Sequence, residues 1–332
     1  MLQRNKLGNT GLEVSRLGLG GLFISNGVAE RKQSCEVIRR AWELGINYID
    51  TAPSYYDSEE VIGEALSSFD ADFIVSTKMG DLPAKDYRPQ DKEFLRERLE
   101  RSFRRLRRNH VNMVMIHEPD NPERFYDWWA DKETYQGPVL DLLREYRDAG
   151  RLDHIGLGGM STTEMTRLIN SGKFEVVLTA FNYSLLFQEA ATCVLPAAKR
   201  HGMGVIAGSP LQQGAFAKIY DEGLIHHPAR WLSVLRRRQF LKLYELVNDC
   251  KIPLPELALR FVLSNPDIQM VLTGARSVEE LELNVAAAER GPLPQEILDA
   301  VGDIYAMCPQ RPYLEPLGLY FKPDYNRNDA EE

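Results

Sequence analysis

The chain has 332 residues, of which 44% are hydrophobic and 27% charged, and its formal net charge is −8. That balance suits a globular protein with a sizeable core and excludes the basic footprint of a nucleic-acid binder. No stretch approaches the roughly 18 apolar residues of a membrane span, the N-terminal Met1-Leu2-Gln3-Arg4-Asn5-Lys6 lacks an apolar signal core, and the dispersed Cys35, Cys193, Cys250 and Cys308 form neither a CxxC pair nor a zinc spacing; a cytoplasmic protein with free thiols and no metal site is expected.

Residues 2–13, with Gly8-Asn9-Thr10-Gly11 at their turn, predict a hairpin. Short apolar runs then alternate with amphipathic stretches. The first strand is expected at Ser15–Leu19, before a helix over Gln33–Leu44. Strands at Asn47–Ile49, Phe73–Thr77 and Val111–Ile116 precede helices over Glu59–Ser67, Glu93–Leu106 and Pro138–Ala149. Strands at His154–Leu157, Val176–Thr179, Gly204–Ala207 and Met270–Leu272 precede helices over Thr163–Ser171, Glu189–His201, Pro255–Ser264 and Val278–Glu289. Gly45, Gly150, Gly172 and Gly202 stand just past helix patterns, where a left-handed cap prefers glycine.

Eight strand–helix repeats predict a closed (β/α)8 barrel of the TIM type. One domain over 1–332 is expected, with its core at about 14–290 and a tail at 308–332. The alternative is an open doubly wound sheet, but Gly18-Leu19-Gly20-Gly21 lacks the full GxGxxG spacing. The basic run Arg101–Arg108 lies on a helix whose apolar stripe is Leu95, Leu99, Phe103 and Leu106, and reads as a solvated face. His226-His227 reads as a loop pair.

Three polar residues close apolar runs: Asp50, Lys78 and His117. Burying such groups at strand ends is costly unless they find partners. On neighbouring parallel strands they meet at one rim, and Tyr55 lies five residues past Asp50. Asp50 would hold the Lys78 ammonium, which lowers the pKa of a nearby phenol; His117 would orient a substrate oxygen. Tyr55 then serves as general acid or base at a carbonyl. On composition alone Tyr48, Tyr56 and Tyr87 rival it. The aromatic loop 118–137, with Phe125, Tyr126, Trp128, Trp129 and Tyr135, is either a packed cover or a wall of the substrate pocket, Trp128 and Trp129 being the pocket candidates.

Gly45-Ile-Asn-Tyr-Ile-Asp-Thr-Ala-Pro-Ser-Tyr55, then Ser58-Glu-Glu-Val-Ile-Gly-Glu-Ala-Leu66, resembles the aldo-keto reductase superfamily. So do Phe73–Lys78, Val114–His117, and Ser264-Asn-Pro-Asp267 leading into Thr273-Gly-Ala-Arg-Ser277. The resemblance covers residues 5 to about 290. It implies a (β/α)8 barrel, a nicotinamide dinucleotide, and a catalytic tetrad on Asp50, Tyr55, Lys78 and His117 with Tyr55 as proton donor. It also implies cofactor contacts from Gly20, Gly21, Leu22, Asp50, Gly158, Gly159, Ser209, Pro210, Leu211, Gln213, Gly214, Gly274, Arg276, Ser277, Glu280 and Asn284. Leu178–Leu186 and Val205–Pro210 are most similar to the aldose and galactose dehydrogenases.

The chain departs from the family pattern in several places. Gly158-Gly159 replaces a Ser-Asn pair, and Ala180 replaces a Gln unless Asn182 takes its role. Gly208 replaces a stacking aromatic, and Tyr56 stands where glycine is usual. Ser277-Val-Glu-Glu280 fits a capping box, and a helix start beside Arg276 favours an anion. Arg276 and the family resemblance imply NADPH, with NAD possible; Glu280, which stands where many relatives place an Arg that meets the adenosine 2′-phosphate, opposes this unless its capping-box role folds it onto Ser277. The implied function is NAD(P)-dependent oxidoreduction of a sugar or small carbonyl substrate, with no nucleic-acid or membrane partner. The alternatives are a general aldehyde or ketone reductase and a nucleotide-binding regulatory subunit.

Overall fold

Eight parallel strands close on themselves in the computed structural model, which describes residues 2–80, 88–121, 128–220, 222–319 and 321. The chain opens with an antiparallel pair, β1 (Arg4–Lys6) and β2 (Glu13–Ser15). The barrel strands follow as β3 (Leu17–Gly20), β4 (Tyr48–Asp50), β5 (Ile74–Met79), β6 (Val111–His117), β7 (Leu152–Gly159), β8 (Val176–Ala180), β9 (Gly204–Gly208) and β10 (Met270–Thr273). Each expected strand is present, and β10 closes the ring by pairing with both β9 and β3.

The expected helices alternate with the strands as α1 (Arg31–Glu43), α2 (Ser58–Leu66), α3 (Lys92–Arg105), α4 (Pro138–Asp148), α5 (Thr162–Asn170), α6 (Val194–His201), α8 (Leu254–Leu263) and α9 (Val278–Glu289). The four glycines expected at helix ends all have positive φ. Helix α6 is shorter than expected. A 3₁₀ turn covers Glu189–Thr192, and the α-helix begins only at Val194. Pro196 explains the break, since its ring excludes the carbonyl four residues earlier and is tolerated only in a first turn.

Two further helices were not anticipated: α7 (Val234–Cys250) and α10 (Gln295–Ala306). The buried face of α7 is Arg236, Gln239, Phe240, Leu243, Tyr244 and Val247. Its spacing is helical, but two of its positions are polar, which hides the apolar period. Arg236 pairs with Glu315 at 2.8 Å, and Gln239 Nε2 donates to the carbonyls of Ile304 and Tyr305 at 2.8 and 3.0 Å. These bonds dock α10 and the start of the tail onto α7.

The register places the polar groups. Asp50 lies opposite Ser76, Lys78 opposite Met115, and His117 opposite Gly158. Side chains two residues apart share a face, so Asp50, Lys78, His117 and Gly158 all point into the barrel. Lys78 stands two residues above the partner of Asp50, and His117 two above the partner of Lys78, which is the stagger of tilted strands in a closed barrel, while Gly158 lies level with His117. Below them the interior is filled by Tyr48, Met113, Met115, Val176, Leu178, Ile206, Met270 and Leu272. The hairpin plugs the opposite mouth: Leu7 and Val14 join this cluster, and Asn9 N–H donates to Gly202 O at 2.9 Å. Among the described residues no helix is long and apolar enough to cross a membrane.

Candidate active site

Lys78 is the centre of the rim. It is 2% exposed, its Nζ lies 2.5 Å from Asp50 Oδ2, and it donates to Thr51 O at 2.9 Å. The same Nζ lies 4.7 Å from the centre of the Tyr55 ring. The Tyr55 and His117 rings meet edge-on, with centroids 5.8 Å apart at 85°. The four side chains thus form one contiguous cluster on three adjacent strand ends. The rival tyrosines are placed elsewhere. Tyr48 is fully buried in the barrel with its hydroxyl 3.7 Å from Met113 Sδ, and Tyr56 is exposed. Tyr87 lies outside the described residues.

Electrostatics sort the cluster into roles. Burial pushes the Tyr55 phenol up, and the opposing pull of Lys78 is smaller. The ammonium was expected to lower this phenol; desolvation outweighs it, because burial penalises the phenolate. Burial alone would bring Lys78 down, but Asp50 and Tyr55 together raise it, so it stays an ammonium. Burial and then the Lys78 charge bring His117 down to about 3. Its ring is neutral at ordinary pH. His117 Nδ1 lies 3.4 Å from Gly80 O. A carbonyl only accepts, so that contact favours hydrogen on Nδ1. Donation from Nε2 to a substrate oxygen takes the other tautomer, and a bond this long is weak to surrender.

The support around the cluster was not evident from the sequence. Thr77 Oγ1 donates to the buried Glu59 at 2.7 Å, and Thr51 bonds Ser58 at 2.9 Å, tying β4 and β5 to α2. At Gly21 a Cβ would stand 2.6 Å from Asp50 O, so the end of β3 lies hard against β4. Gly80 has φ +134, and a Cβ there would stand 3.0 Å from His117 Cβ and 3.3 Å from Trp128 Cζ2. Gly80 therefore lies close against both His117 and Trp128. Trp129 packs with Tyr135 and Phe174 instead, at 5.6 and 6.1 Å between centroids. Both indoles are buried. Phe125 and Tyr126 lie outside the described residues.

The residues implied for the cofactor occupy the remaining arc of the rim. Gly20, Gly21 and Leu22 leave β3; Gly158 and Gly159 end β7; Ser209, Pro210, Leu211, Gln213 and Gly214 follow β9; Gly274, Arg276 and Ser277 follow β10, with Glu280 and Asn284 on α9. The two glycines of β7 differ. A Cβ on Gly158 would face the interior in ordinary contact, 3.7 Å from Lys78 Cε. On Gly159 it would collide with Asp120 Oδ1 and Met165 Sδ at 2.4 Å. Asp120 fills that side, accepting from the N–H groups of Met160, at 2.7 Å, and Ser161. The bare interior face of Gly158 against Lys78 fits a flat nicotinamide ring beside the cluster.

In the β9 loop the organiser is Gln212, which the sequence did not single out. It is fully buried, and its Nε2 donates to Phe181 O at 2.9 Å and Ser184 Oγ at 3.0 Å. Gln213 is turned to the tail, where a Cβ on Gly318 would stand 2.7 Å from its Cδ. At the start of α9, Ser277 Oγ accepts from Glu280 N–H at 3.3 Å, as a cap should. The Glu280 carboxylate does not fold onto Ser277. It accepts from Arg276 N–H at 2.9 Å and from Arg276 Nη2 at 2.7 Å. Asn284 Nδ2 donates to Thr273 Oγ1 at 2.7 Å, fixing α9 to β10.

Residues 16–306 match the Aldo/keto reductase family. L-galactose dehydrogenase of Arabidopsis thaliana is 27% identical, over 96% of this chain and 98% of its own length. The NADH-specific methylglyoxal reductase of Escherichia coli (strain K12) is 26% identical, over 86% of this chain and 93% of its own. Among solved structures, the holo form of an aldo-keto reductase from Bacillus halodurans superposes with a TM-score of 0.73 at 23% identity, covering 92% of this chain and 96% of that one. A likeness at that identity speaks to the barrel alone.

Proposed function

The chain belongs to the aldo/keto reductase family, and on that premise we propose that it moves a hydride between a nicotinamide dinucleotide and the carbonyl or hydroxyl carbon of a sugar or small aldehyde, with Tyr55 handling the proton. The observation that carries the reading is the Lys78 ammonium, 2.5 Å from Asp50 and 4.7 Å from the centre of the Tyr55 ring. When bound, the nicotinamide supplies the hydride in reduction and takes it in oxidation. Tyr55 gives its hydroxyl proton to the substrate oxygen in reduction and recovers it in oxidation. Burial keeps the phenol protonated until that moment. The phenolate left behind is stabilised by Lys78, which Asp50 and Thr51 O hold in place. His117, neutral and packed against Gly80, orients the oxygen without competing for the proton.

Likeness to an L-galactose dehydrogenase over nearly the whole of both chains supports a sugar. Likeness to a methylglyoxal reductase supports the second reading, a reductase of simple carbonyls. A panel of aldoses and aldehydes with NADH and NADPH, followed by nicotinamide absorbance, tests both. Turnover of aldoses in the oxidative direction is expected. Turnover confined to simple aldehydes selects the second reading, and no turnover of either class contradicts both.

A further inference from the structure

Tyr56 directly follows the proposed proton donor and has a left-handed backbone, φ 50. For a residue with a Cβ that conformation is strained, and glycine or asparagine adopts it with less cost. Burial does not offset the strain, because Tyr56 is 64% exposed. The ring lies over Gly27, where a Cβ would stand 2.7–2.8 Å from three Tyr56 ring atoms. The seat is thus shaped for the aromatic: only a bare backbone fits beneath it. The neighbouring Asp57 accepts from Asn26 N–H at 2.8 Å and lies 3.7 Å from Arg31. These contacts join the turn after β3 to the segment after β4. Beside the seat Val28 is also exposed, and so is Leu22 at the foot of the same turn. An exposed, strained aromatic that the core does not require, one residue from the reacting phenol, points to a role in the site.

We propose that Tyr56, seated on Gly27, forms the outer wall of the substrate site and favours substrates that carry a ring beyond the reacting carbonyl. The inference rests on the assignment of Tyr55 as proton donor. An aromatic face offers stacking and C–H contact to a ring and nothing comparable to a short chain. The wall then discriminates at KM, while the chemistry at Tyr55 proceeds as before.

The test uses the whole protein with benzaldehyde and propanal as probes. Tyr56→Gly and Tyr56→Asn remove the ring while suiting the left-handed backbone; Tyr56→Phe keeps it. The ratio of kcat/KM for benzaldehyde over propanal should fall about ten-fold in the first two, through KM for benzaldehyde, and persist in Tyr56→Phe. The Tm of Tyr56→Gly and Tyr56→Asn should stay at or above wild type, since strain is relieved. An unchanged ratio in both overturns the proposal, as does an equal loss in Tyr56→Phe. A lowered Tm with both substrates affected alike makes Tyr56 a structural residue and overturns it too. If the wild type reduces neither aldehyde, this inference is overturned, while the oxidoreductase reading stands or falls on the separate aldose panel.

Discussion

Glu280 holds Arg276 at two points, its main-chain N–H at 2.9 Å and its guanidinium at 2.7 Å. Burial alone would raise the Glu280 carboxyl, but the bonds to Arg276 keep it below the usual carboxylate range, so it is ionised at neutral pH. The capping-box pattern predicts that this carboxylate folds onto Ser277 and away from the 2′-phosphate. Instead it occupies the cation meant for the 2′-phosphate, and a carboxylate near a phosphate costs about 1 kcal/mol per charge pair at 4 Å in water, more where shielded. We therefore expect NADH to bind at least as tightly as NADPH. Glu280→Gln should improve NADPH binding several-fold with little change for NADH, and Arg276→Ala should cost NADPH more than NADH. Titration by quenching of protein fluorescence reads both. Wild-type preference for NADPH, unaltered by Glu280→Gln, would show that the pair opens freely.

The glycines of β7 make a sharp contrast. Gly158→Ser places its new atoms in open interior space beside Lys78 and should fold like the wild type. Gly159→Asn drives a side chain into Asp120 and Met165, where the existing contacts leave 2.4 Å. A loss of about 1–3 kcal/mol in stability is expected, the usual scale of overpacking. Denaturant midpoints compare the two variants. Equal stability would mean that the Asp120 side of the strand yields easily.

His117 sets a pH signature. Its ring stays neutral to about 3 in the folded protein, against 6.5 for the ordinary group. Between those values the unfolded chain binds the extra proton, so its contribution to stability is complete above pH 6.5 and is lost as the pH falls toward 3. The slope is at most about 1.4 kcal/mol per pH unit. His117→Gln removes this term. The difference in unfolding free energy between wild type and variant should therefore shrink as the pH is lowered from about 6.5 to about 4. A constant difference across that range would place a charged imidazole in the folded site.

What was legible followed from chemistry that leaves a mark on one stretch of chain. The barrel strands are apolar runs, and their polar last residues Asp50, Lys78 and His117 meet because parallel register brings strand ends together. What was not legible depends on pairs distant in the chain. Arg236 and Gln239 turn the inner face of α7 polar, and only their partners Glu315, Ile304 and Tyr305 explain it. Gln212 looked like its neighbour Gln213, yet it alone is buried against Phe181 and Ser184. The nearest charge, Lys78, predicts a lowered Tyr55 phenol, whereas the surrounding burial raises it. At Glu280 the capping pattern was sound for its N–H and misleading for its carboxylate, because Arg276 competes for the latter.

The central claim is that Tyr55 carries the proton. Tyr55→Phe keeps the ring over Lys78 and against His117 and removes only the hydroxyl. Turnover of a reduced carbonyl should fall by about 10²-fold or more, while dinucleotide binding, followed by fluorescence, stays at the wild-type level. Near-normal turnover in this variant would contradict the account.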